Sequence, residues 1–144
     1  MILDNSNLFS SAQAITATAA STNIIDLGAT GTVYGAAAAI VRDIGKGAEV
    51  PIALRVTESF NNLTSLTISV ETDDNAGFST PATVFTSPAY ALADLATSAR
   101  HLLPDAVPVG ANERYMRLKY TVAGSAPSTG KITAGIAAAI QTNG

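Results

Sequence analysis

Four segments of the chain alternate apolar and polar side chains, and this alternation limits the possible folds more than any other feature. The segments are 50–57, 66–71, 114–122 and 132–140. In the third segment, Met116, Leu118 and Tyr120 share one face. Arg117 and Lys119 share the other face. A period of two residues places alternate side chains on opposite sides of a β-strand. Each segment is therefore predicted to be a strand of an antiparallel sheet with one face on a core.

Shorter stretches with a weaker pattern lie between these four strands. They are 12–18, 23–27, 83–86 and 90–97. Threonine and other residues that favour strands recur in them. Glycine, asparagine, aspartate and proline separate the segments, as is typical of turns. About eight short strands joined by turns predict an all-β, single-domain sandwich of the jelly-roll or a similar Greek-key type.

The alanine run in residues 36–43 is the one place where helix and strand compete. Alanine has the highest intrinsic helix propensity, and the run is long enough for two helical turns. A helix here would lack a good N-cap, because Tyr34 and Gly35 precede it instead of Ser, Thr, Asp or Asn. We therefore predict strand or coil for this segment.

The first ten residues place large apolar groups, among them Leu3, Leu8 and Phe9, on both sides of a polar patch. A terminal segment of this kind is not expected to stay exposed to water. It is predicted either to pack on its own domain as an edge strand or to bury Leu8 and Phe9 against a neighbouring chain as an arm. We accordingly separate residues 1–10, an arm or edge segment, from a β domain of residues 11–144.

Charge and composition exclude several classes of function. Eight Lys and Arg against eleven Asp and Glu give a net charge of −3, whereas a general nucleic-acid binder usually carries a basic excess. The absence of cysteine excludes disulfides, thiolate metal sites and a cysteine nucleophile. The longest apolar run, 36–41, is far shorter than the ~20 residues of a membrane helix. No basic, apolar leader opens the sequence, so we expect the chain to be made in the cytoplasm.

The motifs that carry chemistry are weak. His101, the single histidine, has no nucleophile or orienting partner near it in sequence. Residues 124–131 resemble a phosphate-binding loop, but the glycines are one residue too far apart and Ile132 stands where Ser or Thr is required. We predict a hairpin there.

Residues 71–75 offer oxygen ligands without the spacing of a calcium loop, so a solvated turn is favoured. The chain is predicted not to be an enzyme and to need no cofactor.

Arg117 and Lys119 lie on the outer face of a predicted strand, together with Tyr115. Binding of nucleic acid would need more positive charge. A cross-strand pair with Asp or Glu, or contact with an acidic partner, fits better. The remaining surface is poor in charge and rich in Thr, Ser, Asn and Ala, which suits contact with another protein. The candidate partner-contact residues are Leu3, Leu8, Phe9, Arg117 and Lys119.

Seven stretches, which span almost the whole chain, carry a family resemblance. They are 1–4, 43–47, 56–60, 66–74, 102–104, 113–124 and 129–136. In their order and lengths they resemble the capsid cement, or decoration, proteins of tailed bacteriophages, the Bbp16 family, of the type found in Bordetella phage and its relatives. The resemblance implies a jelly-roll fold, a structural role and no catalytic residues.

The same resemblance implies a location and partners. Cement proteins lie on the outside of the icosahedral shell and tie neighbouring major capsid proteins together against the pressure of packaged DNA. The implied partners are the major capsid protein and the protein itself, as a homodimer or homotrimer, with no nucleic acid and no membrane. The implied location is the virion exterior, after assembly in the host cytoplasm. The alternative function is that of a tail or fibre β module that binds a host-surface glycan.

Overall fold

The computed structural model describes residues 3–42, 44, 47, 49–97 and 101–139. Nine strands form within them: β1 (Leu3–Ala14), β2 (Ala19–Ala20), β3 (Ile25–Asp26), β4 (Ile52–Glu58), β5 (Leu63–Asp73), β6 (Ala82–Thr86), β7 (Tyr90–Ala91), β8 (Tyr115–Gly124) and β9 (Lys131–Ala137). A single 3₁₀ turn, Leu92–Leu95, follows β7. No helical segment of the described residues has the length and apolar character that a membrane span requires.

The strands form two antiparallel sheets. The smaller sheet has the order β1-β9-β4, and residues 102–107 extend it beyond β4 through main-chain bonds. These bonds run from Leu102 N to Leu54 O (3.0 Å) and from Ile52 N to Asp105 O (2.8 Å). The larger sheet has the order β2-β8-β5-β6, with β3 also paired to β8 and β7 to β5.

This arrangement is a jelly roll. Along the chain, β1, β4, the segment 102–107 and β9 belong to the smaller sheet. The short strands β2 and β3, then β5, then β6 and β7, then β8 belong to the larger one. The chain therefore passes repeatedly from one sheet to the other, which is how a two-sheet jelly roll is wound. The predicted all-β sandwich is confirmed.

The core lies between the sheets and uses the inward faces that the alternation predicted. In β8, Met116, Leu118 and Tyr120 are buried, whereas Arg117 and Lys119 on the other face remain partly exposed. Fully buried side chains from both sheets and their connections complete this core: Phe9, Ile15, Ile52, Leu54, Leu66, Ile68, Leu95, Leu102 and Ile132.

Two alanines do not follow the alternation of the predicted strands. In 50–57 the period of two places Val50, Ile52, Leu54 and Val56 on the core face and predicts an exposed Ala53, but Ala53 is buried. It pairs with Gly135, where the side chain of Leu8 lies so close that a Cβ would be 2.8 Å from Leu8 Cδ2. The bulged strand β1 thus covers this part of the sheet. In 132–140 the alternation predicts that Ala138 and Ile140 share the core face with Ile132, but Ala138 is exposed, because β9 ends at Ala137. Residue 140 lies outside the described residues.

The weaker strands are shorter than predicted. Of 12–18, only the first three residues are in β1, and of 23–27 only β3 is strand. The stretch 90–97 begins as β7 and then turns into the 3₁₀ segment, whereas 83–86 is contained in β6. Residues 36–42 contain a bend at 37–38 and no helix or strand, in agreement with the coil alternative, and residue 43 lies outside the described part.

The predicted hairpin at 124–131 is wrong. β8 pairs in the larger sheet and β9 in the smaller sheet, so the connection between them crosses the sandwich instead of reversing within one sheet. Asn61 holds this connection: its Oδ1 accepts hydrogen bonds from Ser128 N (2.8 Å) and Thr129 N (3.1 Å). Local sequence indicates that the chain turns here, but it does not indicate which sheet receives the next strand.

The connections gather at two ends of the sandwich. At one end, 59–62, 87–97 and 125–130 contact each other, for example through Phe60 N to Leu95 O (3.1 Å) and the Asn61 bonds. At the other end lie 74–81, 108–114 and the described residues of the long connection between β3 and β4, which are 27–42, 44, 47 and 49–51. The bridge between Ile44 and Ala111 ties this connection to 108–114. We call this second group the loop end.

Candidate interaction surface

Strand β1, which carries three predicted contact residues, forms an edge of the smaller sheet. Leu3 pairs with Ala137 and Leu8 with Gly135, and both leucines are partly exposed. Phe9 is fully buried in the core of its own domain, so in this fold it offers no surface to another chain. Leu3 and Leu8 stay predicted contacts, and residues 1 and 2 lie outside the described part.

The start of β1 leaves the regular ladder. From Leu3 to Leu8 the strand advances five residues while β9 advances only two. The extra residues form a side-chain-capped turn, in which Asp4 Oδ1 accepts from Ser6 N (3.2 Å) and Asp4 Oδ2 from Asn7 Nδ2 (3.1 Å). A bulge of this kind is one way in which an edge strand avoids unwanted pairing. The polar patch of the N-terminal sequence thus forms a largely exposed bulge within β1.

Arg117 and Lys119, the other two predicted contacts, share one carboxylate. Glu71 lies opposite Arg117 in the β5–β8 register and is almost fully buried. Its Oε2 is 2.7 Å from Arg117 Nη2, and its Oε1 is 3.3 Å from Lys119 Nζ. The Arg117 guanidinium also lies over the Phe78 ring, with Cζ 4.1 Å from its centroid. The cross-strand pair predicted from the sequence is present, and contact of these residues with a partner stays a prediction.

His101 packs against β4 through Arg55. Arg55 Nη2 lies 2.8 Å from His101 Nε2, and Arg55 Nε lies 3.3 Å from the same atom. Because a guanidinium only donates hydrogen bonds, Nε2 is the acceptor in this pair. The contact gives His101 a structural role in holding the segment 102–107 beside β4.

The acidic turn after β5 uses its carboxylate for capping. Asp73 Oδ1 accepts from Asn75 N (2.7 Å), and Asp73 Oδ2 accepts from Thr80 N (2.8 Å). Both oxygens thus fix the connection to β6, as the predicted turn requires. No cluster of three or more His, Asp or Glu side chains suited to a metal ion occurs among the residues described.

The loop end carries the most exposed apolar side chains of the described residues. Relative exposures are 105% for Tyr34, 80% for Val41, 64% for Val109 and 56% each for Val33 and Ile40. The three other exposed large apolar residues reach only 37–40%, and one of these, Leu92, lies at the opposite end. This concentration of exposed apolar side chains makes the loop end the candidate interaction surface.

Sequence reasoning did not select this surface. The signal that could have found it is the uncharged stretch 28–41, which has Tyr34 near its middle. The alternation used to find strands carries no information about such a loop. Composition shows that the whole chain has few charged residues, but it does not show that this segment has none.

Charged groups surround the base of the loop. Arg114 pairs with Asp26 through two bonds, Nε to Oδ1 (2.9 Å) and Nη2 to Oδ2 (2.8 Å). The bond from Arg114, followed by the bond from Gly28 N to Oδ1 (2.8 Å), lowers the pKa of Asp26 to about 2. Beside this pair an open groove is lined by Arg42, Asp74, Asn112 and Arg114, together with 28–30 and 40–41.

These observations define a jelly-roll protein with an apolar loop end. The sequence profile of the Bbp16 family matches residues 9–140, so the chain belongs to the Bbp16 family. No curated protein matches the chain.

Proposed function

We propose that this protein is a capsid cement: a structural virion protein that binds the outside of a bacteriophage shell and ties neighbouring major capsid proteins together. The observation that carries the proposal is the concentration of exposed apolar side chains at one end of a rigid sandwich. Membership of the Bbp16 family and the sequence resemblance to phage cement proteins support the same function.

The jelly roll suits a cement for a mechanical reason. Two sheets that share a single core fix the positions at which their loops begin and end, which limits the conformational freedom that a contact surface at one end can lose on binding. A standard interface buries about 1,200–2,000 Å² in total. Contact with two capsid proteins at once makes the second contact intramolecular and adds avidity. Many such contacts per shell resist outward pressure together.

Binding to empty shells tests this function. Shells of the encoding phage, prepared without this protein, are mixed with the purified chain and sedimented. We expect the chain to sediment with the shells and to raise the temperature at which they rupture. Absence of binding together with an unchanged rupture temperature would contradict the proposal.

Self-association is part of the proposal, because cements gather around symmetry axes of the shell. We propose a homodimer, with a homotrimer as the alternative. Light scattering of the purified chain measures the mass of the particle directly, and a monomer at all concentrations would contradict self-association in solution.

The alternative function, a tail or fibre module that binds a glycan, requires a concave site lined by aromatic side chains. The groove at the loop end is lined by charged, polar and aliphatic residues. This groove therefore does not support the alternative. Specific binding on a glycan array, with no binding to shells, would favour it instead.

A further inference from the structure

Strand β1 contains a strained residue, Ala12. Between Ser10 and Gln13 the strand advances three residues while β9 advances two, so β1 has one extra residue there. When a residue of such a bulge is left-handed it is normally glycine, because a Cβ is disfavoured in that conformation. Ala12 adopts φ +46° in spite of its side chain. The backbone of β1 is therefore strained at this position.

The bulge divides β1 into two parts. Residues 13–14 pair with the start of β9, whereas residues 3–10, which we call the N-terminal segment, pair with its later residues. Ser11 and Ala12 connect the two parts, and both are exposed. A hydrogen bond from Ala12 N to Thr133 Oγ1 (3.0 Å) holds this connection against β9. A short, exposed and strained connection of this kind has the properties of a hinge that favours domain swapping.

The N-terminal segment fits a site that the rest of the chain provides. Phe9 is fully buried in the core, and Ser10 Oγ lies 2.8 Å from the Tyr120 hydroxyl. Leu8 lies over Gly135, where a Cβ would be 2.8 Å from Leu8 Cδ2, so only glycine leaves room for it. None of these contacts requires that the segment and its site belong to the same chain. The N-terminal segment of a second copy therefore fits the same site.

An exchange between two copies keeps these contacts and changes the hinge. The closed and the exchanged forms then differ in free energy chiefly through the connection at 11–12 and through the entropy lost on association. In the closed form Ala12 is left-handed, which is unfavourable for a residue with a Cβ. An extended connection removes this strain in both copies at once, so the strain favours exchange.

From this geometry we infer that the homodimer forms by exchange of the N-terminal segments. Residues 3–10 of each copy pair with β9 of the other copy, and Phe9 of each copy enters the core of the other. The inference rests on the self-association proposed above and names the segment that joins the copies. Each smaller sheet is then incomplete without a strand of the partner, so the copies separate only when Phe9 leaves a core.

A pair of introduced cysteines tests the exchange directly, because the chain has no cysteine of its own. Leu3 lies opposite Ala137 in the β1–β9 register. In the exchanged dimer, Leu3→Cys and Ala137→Cys form a disulfide between two chains, and denaturing electrophoresis without reductant should show a covalent dimer. In the closed form the same disulfide lies within one chain, and only single chains should appear.

The matched control places the cysteines in strands that are not exchanged. Ser69 in β5 lies opposite Thr86 in β6, with their hydroxyl oxygens 3.4 Å apart. Ser69→Cys with Thr86→Cys should form its disulfide within one chain in either form. It should therefore run as a single chain under the conditions that give a covalent dimer of the first variant.

Substitution at the hinge tests the role of the strain. Ala12→Gly relieves the closed form, because glycine adopts a positive φ readily. We expect dimerisation, measured by light scattering over a range of concentrations, to weaken by about tenfold or more. Ser11→Gly, at a neighbouring exposed residue without a positive φ, is the matched control and should dimerise within about threefold of the original chain. Equal dimerisation of the two variants would overturn the inference.

The outcomes separate the exchange from the self-association on which it rests. If the original chain is a monomer at all concentrations, the proposed self-association fails and the inference fails with it. If the chain is a dimer but both cysteine pairs bond within single chains, the self-association stands and the exchange is overturned. If the variant at Leu3 and Ala137 does not fold, Ala12→Gly compared with Ser11→Gly decides the question.

Discussion

Tyr120 places a hydroxyl group inside the core, where its hydrogen-bond donor needs a partner. The side chain is fully buried, and its hydroxyl lies 2.8 Å from Ser10 Oγ. Ser10 in turn donates to Gln13 Oε1 (2.7 Å), so the tyrosine is the donor in the first bond. Because Ser10 is in β1 and Tyr120 in β8, this chain of bonds joins the two sheets through the core.

Replacing this tyrosine measures the strength of the link. Tyr120→Phe keeps the ring and removes the bond to Ser10, which retains Gln13 as a partner. We expect the free energy of unfolding to fall by about 0.5–1.5 kcal/mol, measured by urea denaturation at pH 7. An unchanged stability would mean that the inter-sheet bond contributes nothing.

The same variant tests an effect of alkaline pH. Burial raises the pKa of Tyr120, and the bond with Ser10 only partly opposes this. The folded state thus favours the neutral phenol, and the resulting stabilisation is present below the usual value of 10.0 and is lost as the pH rises above it. The original chain should therefore lose more stability than Tyr120→Phe between pH 9 and pH 11, by the same urea measurement. Equal losses would contradict this.

Asp26 gives a second pH effect, with the opposite sign. Its pKa is lowered from 3.8 to about 2, chiefly by the bond from Arg114. The folded state thus favours the carboxylate, and this stabilisation is present above pH 3.8 and is lost as the pH falls through about 2. We expect Asp26→Asn to lose less stability than the original chain between pH 5 and pH 2.5. Glu58, whose pKa is also lowered by Lys131, is unchanged in both proteins and so cancels from the comparison.

At the scale of elements, the connection between β8 and β9 depends on one close approach. Gly130 has φ +132°, and a Cβ at this position would lie 2.3 Å from Cδ1 of the Phe60 ring. The ring is itself buried and belongs to the hydrophobic core. A side chain at 130 would therefore displace a core residue at the point where the chain crosses between the sheets.

Gly130→Ala is accordingly expected to destabilise the fold by about 3 kcal/mol or more, from backbone strain and from the clash together. The matched control is Gly28→Ala, because Gly28 also has a positive φ (+78°) but open space where a Cβ would lie. It should cost about 1 kcal/mol, the strain alone. Thermal unfolding of both variants measures the two losses of stability. Equal losses would mean that the Phe60 ring moves aside with no loss of stability.

At the scale of the whole molecule, the strands that could be predicted are those whose side chains meet water on one face and a core on the other. Met116, Leu118 and Tyr120 show this alternation, and the charged pair of Glu71 with Arg117 follows from the same facing. The crossing after β8 could not be predicted, since 125–130 has the composition of any turn. Which sheet receives β9 is decided by distant partners such as Asn61.

The loop end was beyond prediction for a related reason. Exposure of Tyr34 depends on where the loop 28–42 is held, and that is set by bonds from Arg42 and by the bridge of Ile44 to Ala111. Phe9 illustrates the converse, because a terminal apolar residue that looked available to a partner is used by its own core. An apolar residue in the sequence thus predicts a buried side chain, but it does not tell whether its own domain or a partner chain buries it.

Electron cryo-microscopy of shells decorated with this protein tests the proposed function most directly. We predict density for a jelly roll on the outer surface, with its exposed apolar loop end in contact with the major capsid protein. Shells without outer density, or with the jelly roll bound by its opposite end, would contradict it.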